Sequence, residues 1–419
     1  MSSASRQLPA RACISLACSV SAFAPFSQAA FVDDASARLE ARNIYFNRDF
    51  REGTGQSRRE EWAQGLILDL QSGFTEGSVG VGLDALGQLG LKLDSSPDRT
   101  GSGLLPTHDD GRAADEYSKL GLTAKLRLSQ SLLRYGTLIP DLPTLQPNDG
   151  RILPQTFFGT QLDSAELAGL QFSGGRLNQF TDRDSSNRED IALNNKNGRF
   201  ASAAAGEHFD FAGGDYQFAE GLTARYHFAR LDEVYRQQFL GLLISQPLGP
   251  GVFGADLRLS LSDEDGAALG GEVDNRALNG LLSYTLGGHK LSLAAQKMSG
   301  DSGFAYVDGS DPYLVNFVQI NDFANADERS WQARYDYDFK AVGLPGLTFM
   351  SRYVQGDDAR ISGSSARGGE WERNSEVKYV VQSGPLKNLF VRLRNATFRS
   401  DFARDADETR VIVGYSLAL

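Results

Sequence analysis

The sequence predicts an all-β chain, an antiparallel transmembrane β-barrel of about 18 strands with long extracellular loops folded into its lumen. Three observations carry that reading. Apolar residues recur at every second position along most of the chain, which puts them on one face of a strand and not on one face of a helix. The turn-rich joints between these runs come in two lengths, short and long, as expected when strands cross a membrane up and down and only one end faces outward. Arginines share the face opposite the apolar one. At mid-bilayer each would cost about 2–4 kcal/mol in hydrocarbon, so in a spanning strand they must face a wet lumen.

Taken in order, residues 1–29 read as an export leader. Arg6 and Arg11 precede the apolar stretch Ala12–Phe26, and Ser27, Gln28 and Ala29 supply a cleavage site, so the barrel is expected at residues 30–419. Cys13 and Cys18 both fall in the leader, which leaves the exported chain without a disulfide, a thiolate nucleophile or a thiolate metal site. Removing two arginines and no acid makes the formal charge of −11 more negative by two, which argues against a nucleic-acid partner. No segment beyond the leader approaches the ~18–20 apolar residues of a spanning helix. The mean hydropathy of −0.32 nonetheless suits a barrel, in which only alternate strand residues meet lipid.

After Trp62, Leu66, Leu68 and Leu70 oppose Ile67, Asp69 and Gln71, and a short joint at Ser72-Gly73 returns the chain into Val79, Val81, Leu83 and Ala85. Leu120, Leu122, Ala124, Leu126 and Leu128 then oppose Lys119, Gly121, Thr123, Lys125 and Arg127. Further on, Trp331, Ala333, Tyr335, Tyr337 and Phe339 oppose Gln332, Arg334, Asp336, Asp338 and Lys340. Near the end Arg392 and Arg394 oppose Val391 and Leu393, and Arg410, Ile412, Gly414 and Ser416 oppose Val411, Val413, Tyr415 and Leu417. Such alternation makes strands.

Short joints are expected at Gly174-Gly175, Pro247–Gly251, Gly287–His289, Gly343–Gly346 and Gly384–Asn388. Long ones are expected at about 87–116, 136–164, 181–207, 262–275, 299–328 and 356–371. A barrel of this width cannot be filled by strand side chains alone. The spans 136–164, stiffened by Pro140, Pro143, Pro147 and Pro154, and 299–328 are therefore expected to fold inward. The acidic spans Asp182–Asp190 and Asp401–Glu408 read as solvated loops, with room for divalent ions that bridge lipopolysaccharide.

An enzyme would need a nucleophile with a base, or a metal cluster. The four histidines, His108, His208, His227 and His289, have neither a Gly-x-Ser-x-Gly elbow nor a His/Asp/Glu cluster beside them in sequence, so no catalytic site and no cofactor is expected.

Seven stretches in register carry a resemblance to a known family: RNIYFNRD at 42–49, GLKLD at 90–94, LPQT at 153–156, VYRQ at 234–237, SWQARYD at 330–336, GLPGLTFM at 343–350 and YVVQSGP at 379–385. Together they resemble the OprD family of outer-membrane carboxylate channels, over about Arg42 to Leu419. The segments 92–99 and 111–117 look most like its branch for cyclic and aromatic carboxylates, the OccK type. The resemblance implies an 18-stranded barrel, monomeric or loosely trimeric, set in outer-membrane lipid and lipopolysaccharide by the barrel-assembly machinery. It implies passive uptake of small carboxylate solutes along a ladder of arginines, which falls here on Arg48, Arg59, Arg151, Arg392, Arg394 and Arg410. It also implies an eyelet, at Tyr306, Phe317, Ile320 and Asp322, whose apolar members suit a ring-bearing solute. A channel for basic amino acids or peptides and a less selective general porin are the alternatives. The bland readings are wall ion pairs of Arg392 and Arg394 with Glu376, solvated surface charges near a loop for Arg48 and Arg59, a packing anchor for Tyr306 and a turn cap for Asp322. Leu419 stands where the family usually ends on an aromatic residue.

Overall fold

Alternation closes into one continuous antiparallel sheet of 18 strands in the computed structural model, which describes residues 28–419. The expected export leader lies outside the described residues except for its last two positions. In chain order the strands are β1 Ser36–Phe50, β2 Arg58–Gln71, β3 Val79–Asp94, β4 Glu116–Leu128, β5 Ser131–Leu138 and β6 Thr156–Ser164. There follow β7 Leu170–Thr181, β8 Phe209–Ala219, β9 Leu222–Leu231, β10 Tyr235–Leu248, β11 Gly251–Glu264 and β12 Asp274–Leu286. The last six are β13 His289–Ser299, β14 Arg329–Asp338, β15 Leu347–Arg360, β16 Arg367–Val380, β17 Phe390–Ser400 and β18 Ala406–Ala418. Each strand pairs with its sequence neighbours, and β1 closes the barrel by pairing with β18 as well as with β2. No sheet edge is left open, which a spanning strand requires.

The two faces of each strand differ as the pattern foretells. On β4, Leu120 and Leu122 are 73% and 53% exposed on the outer wall, whereas Lys125 on the inner face is 6% exposed. Aromatic side chains band the outer wall near both ends. Trp331, Tyr353 and Trp371 lie ring beside ring toward the long loops, and His289, Tyr337 and Phe339 do so toward the short turns. Such paired girdles mark the two membrane interfaces.

Three joints differ from expectation. Gly174-Gly175 is no turn: it lies inside β7, where the Thr160 carbonyl and the Phe211 ring occupy the space a Cβ at Gly175 would need, and the turn falls at residues 165–169. The span expected as a loop over 136–164 yields β6 at its end, and the one over 87–116 yields the end of β3, because glycine and polar residues on the lumen face dilute the alternation there.

The buried apolar clusters lie inside the barrel, where loops 95–115, 139–155, 182–208 and 300–328 pack on inward side chains. Leu104, Leu105, Ile152 and Leu153 meet Ile44, Phe46 and Ala63 of β1 and β2. Gly65 admits loop 139–155 to the wall, since the Ile152 carbonyl sits where a Cβ would be. Loops 139–155 and 300–328 do fold inward, and 182–208 joins them. The Asn148 amide donates to Asp311 (2.5 Å), Gln155 donates to the Asp308 carbonyl (3.0 Å), and Asn194 donates to the Asp308 carboxylate (2.7 Å).

Candidate functional site

Strand register sets the spacing of the arginines on one side of the lumen. Arg394 pairs with Arg410 across β17 and β18, Arg48 pairs with Glu408 across β1 and β18, and Arg59 pairs with Arg48 across β2 and β1. Residues two apart on a strand share a face and stand about 7 Å apart along it. The guanidinium groups therefore rise from Arg392 at the short-turn side, through Arg394 and Arg410, to Arg48 and Arg59 at the loop side. Their strand neighbours Val391 and Leu393 are 42% and 48% exposed on the outer wall, while Arg410 is 4% exposed on the inner one.

Phe46 is the pillar of this wall. The guanidinium carbons of Arg48, Arg151 and Arg410 lie 5.6, 5.0 and 5.3 Å from its ring centre. Stacking on an aromatic face orients a guanidinium and leaves its edge free for hydrogen bonds. Glu408, fully buried, accepts from Nε of both Arg48 and Arg410, at 2.6 Å each. Arg410 also donates to the Gln319 carbonyl (3.2 Å), and Arg151 donates to the carbonyls of Ser102 (2.8 Å) and Gly150 (3.0 Å). One terminal nitrogen of each of these three arginines has no protein partner among the described residues. Lower on the wall, Glu376 is shared by Arg392 (3.5 Å) and Arg394 (3.2 Å). One carboxylate serves two cations at both places, so the wall keeps an excess of positive charge.

The opposing constriction comes from loop 300–328. Glu372, on the inner face of β16, accepts the backbone N–H groups of Gln319, Ile320 and Asn321 at 3.1, 3.1 and 2.9 Å and so pins the turn that presents Phe317 and Ile320. Asp322 is gripped by Arg199 through both carboxylate oxygens (2.7 and 2.5 Å), by Lys196 (3.3 Å) and by the Tyr306 hydroxyl (2.9 Å). Burial alone would raise the Asp322 carboxyl, but Arg199 and Lys196 outweigh it and hold it well below the ordinary carboxylate range. Burial and the neighbouring Asp322 charge push the Tyr306 phenol up. Both side chains brace the loop.

One lumenal cavity, of about 580 Å³, is lined by Arg48, Arg59, Arg151, Arg394 and Arg410 together with Tyr306, Phe317, Ile320 and Asp322. Of the expected residues only Arg392 lies outside it, one step toward the short turns. The cavity also takes in Arg183, Lys196 and Arg352, and the carboxylates of Asp182, Asp184, Asp308 and Asp311, none of them expected as site residues. Arg352 shares its strand face with Met350 and Val354, so alternation could have found it. Arg183, Lys196 and the four acids sit in loops, where no periodicity exists to read. The solvated-loop reading fits Glu189, Asp190 and Asp401, which are exposed, and is corrected for the others: Asp182 and Asp184 face the cavity because loop 182–208 folds inward, and Glu408 is buried inside β18 between two arginines.

The chain matches the family model for outer membrane porins of the OprD family over residues 29–419. Among solved structures, it superposes on Pseudomonas aeruginosa OccK9 (OpdG) with a TM-score of 0.90 at 50% identity, covering 93% of this chain and 100% of that one. It superposes on Pseudomonas aeruginosa OpdK with vanillate with a TM-score of 0.87 at 44% identity, again covering 93% of this chain and 100% of that one. The porin-like protein GalP of Pseudomonas putida KT2440 is 41% identical over 393 residues, 93% of each chain.

Proposed function

The chain belongs to the OprD family of outer membrane porins, and from that premise we propose that it is a selective passive channel for small carboxylate-bearing solutes, with cyclic and aromatic carboxylates its preferred cargo. As a barrel of this family it resides in the Gram-negative outer membrane, and its relatives are channels and not enzymes. The carrying observation is the meeting of five ladder arginines and four eyelet residues around one cavity. A pore site must attract a solute and still release it. Guanidinium groups about 7 Å apart allow a carboxylate to engage one before leaving the last. In a water-filled lumen each attraction is on the order of 1 kcal/mol at 4 Å, which keeps passage fast. Phe317 and Ile320 offer apolar surface to a ring. Vanillate, present in the OpdK structure, is an aromatic carboxylate, which supports the same reading here.

A second reading has one observation in its favour. Asp182, Asp184, Asp308 and Asp311 line the cavity together with the arginines, an arrangement that would also receive an ammonium group, so amino acids are the rival cargo. Single-channel recording decides between these. With the ladder conducting, small currents are blocked by benzoate-like acids, and replacing Arg392 and Arg394 together with alanine moves the reversal potential toward cations and lowers carboxylate uptake while the barrel still assembles. An unmoved reversal potential refutes the ladder. Large currents indifferent to any carboxylate identify a general porin, and block by lysine or arginine alone identifies the amino-acid channel.

A further inference from the structure

The outer wall carries a socket that conduction does not use. Gly280 of β12 lies directly opposite Ala295 of β13, and both point outward, so two small residues form a floor. Leu257, paired with Gly280, walls one side, and Trp331, paired with Ala295, walls the other. Below the floor lies the pair Leu282 and Leu293, and above it the pair Leu278 and Lys297. The result is an apolar groove of about 950 Å³. At its mouth, toward the long loops, Lys297 pairs with Arg329, and Arg276 stands two residues above Leu278 on β12. Arg276 and Lys297 are exposed and have neither a hydrogen-bond nor an ion-pair partner among the described residues, whereas Arg329 lies 3.6 Å from Asp358. Asp357 and Asp358 line the groove on the Arg329 side and offset that charge, which leaves Arg276 and Lys297 as adjacent cations with no acid between them; they repel one another, and an anion brought to them relieves the repulsion.

We propose that this socket binds one phosphorylated, multiply acylated glycolipid of the outer leaflet, with an acyl chain on the Gly280–Ala295 floor and a phosphate on Arg276 and Lys297. The depth fits: Trp331 of the loop-end aromatic girdle pairs with Ala295, so the floor lies at the girdle, where acyl chains meet headgroups, with Leu282 and Leu293 one step deeper and the cations one step further out. The charge fits a phosphate ester, and the groove fits a chain that a flat wall of leucines would only brush. The proposal stands on the barrel and its orientation and does not depend on which solute passes through it.

The test is native mass spectrometry of the purified full-length channel titrated with bisphosphoryl lipid A, with monophosphoryl lipid A and phosphatidylglycerol as comparisons. The wild type is expected to retain bisphosphoryl lipid A in preference to both. Attraction of about 1 kcal/mol per basic residue near a membrane surface corresponds to roughly 30-fold weaker retention in the Arg276→Ser, Lys297→Ser double variant. Ala295→Leu, which fills the floor and leaves every charge in place, weakens retention to a comparable extent. Neither change touches the lumen, so single-channel conductance stays at the wild-type value. Retention unchanged in both variants overturns the proposal, as does equal retention of phosphatidylglycerol, the mark of unspecific annular lipid. A disulfide-linked dimer formed by Ala295→Cys would also overturn it, since a second copy of the chain would then cover the groove.

Discussion

The lower end of the arginine wall, at Arg392 and Arg394, and the loop that faces the wall use ion pairs in opposite ways. There Glu376 is divided between Arg392 and Arg394, whose side chains are 31% and 19% exposed. In loop 300–328, Asp322 and Arg199 are each 2% exposed and close on one another through two hydrogen bonds, with Tyr306 completing the cage. Exposure decides the role. A shared, wet pair leaves donors for a passing solute, whereas a dry bidentate pair has none to give and serves as a clamp. We propose from this difference that Asp322 serves to shape the eyelet.

The sharpest way to break this contrast is to open the clamp. Replacing Arg199 with methionine leaves the buried Asp322 carboxylate with only Lys196 and the Tyr306 hydroxyl, and losing one partner of a buried pair typically costs up to about 3–5 kcal/mol. Because the barrel wall is held by its own strand pairs, the expected outcome is release of loop 300–328, not unfolding. Single-channel conductance should rise severalfold and carboxylate selectivity should fall, while the heat-modifiable band of the assembled barrel persists. A variant that conducts and selects like the wild type would show that Asp322 and Arg199 brace nothing. Glu372→Ala, which frees the N–H groups of Gln319, Ile320 and Asn321, should move conductance in the same direction by a smaller amount.

On the wall, single residues should act locally and leave the shape alone. Arg59 has no hydrogen-bond or ion-pair partner among the described residues and lies 5.5 Å from the Phe50 ring, so Arg59→Ala removes a charge without stranding another. Coulomb attraction on the order of 1 kcal/mol at 4 Å in water sets the expected loss at about fivefold in carboxylate flux, read by liposome swelling. Conductance for chloride should fall and the stability of the barrel should hold. If flux is unchanged, the ladder begins below Arg59.

The same contrast explains what could be read from the chain itself. The wall was legible because a strand has a period of two: Val391 and Leu393 toward lipid force Arg392 and Arg394 toward water, and the inference needs no knowledge of any other strand. Strand number and the closure of β1 on β18 follow from the same rule together with the alternation of short and long joints. The clamp was not legible. Arg199 and Asp322 lie 123 residues apart on two irregular loops, and no local pattern brings them together. Lys196, Arg183 and Asp311 escaped for the same reason. Asp322 and Tyr306 were located through family resemblance, which gave their positions but not their burial, and Glu372 was overlooked although β16 places it on the same lumen face as Glu376.

The finest test of the contrast concerns a group that belongs to neither class. Asp311 hangs from the eyelet loop into the cavity. Burial raises its carboxyl to about 6, against the opposing pull of Arg183 and of the Asn148 amide that donates to it. For an acid raised above its usual value of about 3.9 the neutral form is the one the fold favours, and ionisation is completed only as pH rises through 6. Above pH 6 the cavity therefore carries this negative charge opposite the arginines, and below pH 6 it does not. Lowering the pH from 7 to 5 should increase anion preference about twofold, a modest change because one charge in a wet lumen is worth on the order of 1 kcal/mol at 4 Å. Asp311→Asn should show the acidic-pH selectivity already at pH 7 and lose most of the dependence. If the variant keeps the wild-type pH profile, the titrating group lies elsewhere on the cavity wall, and Asp311 then belongs with Asp322 among the residues that hold the loop in place.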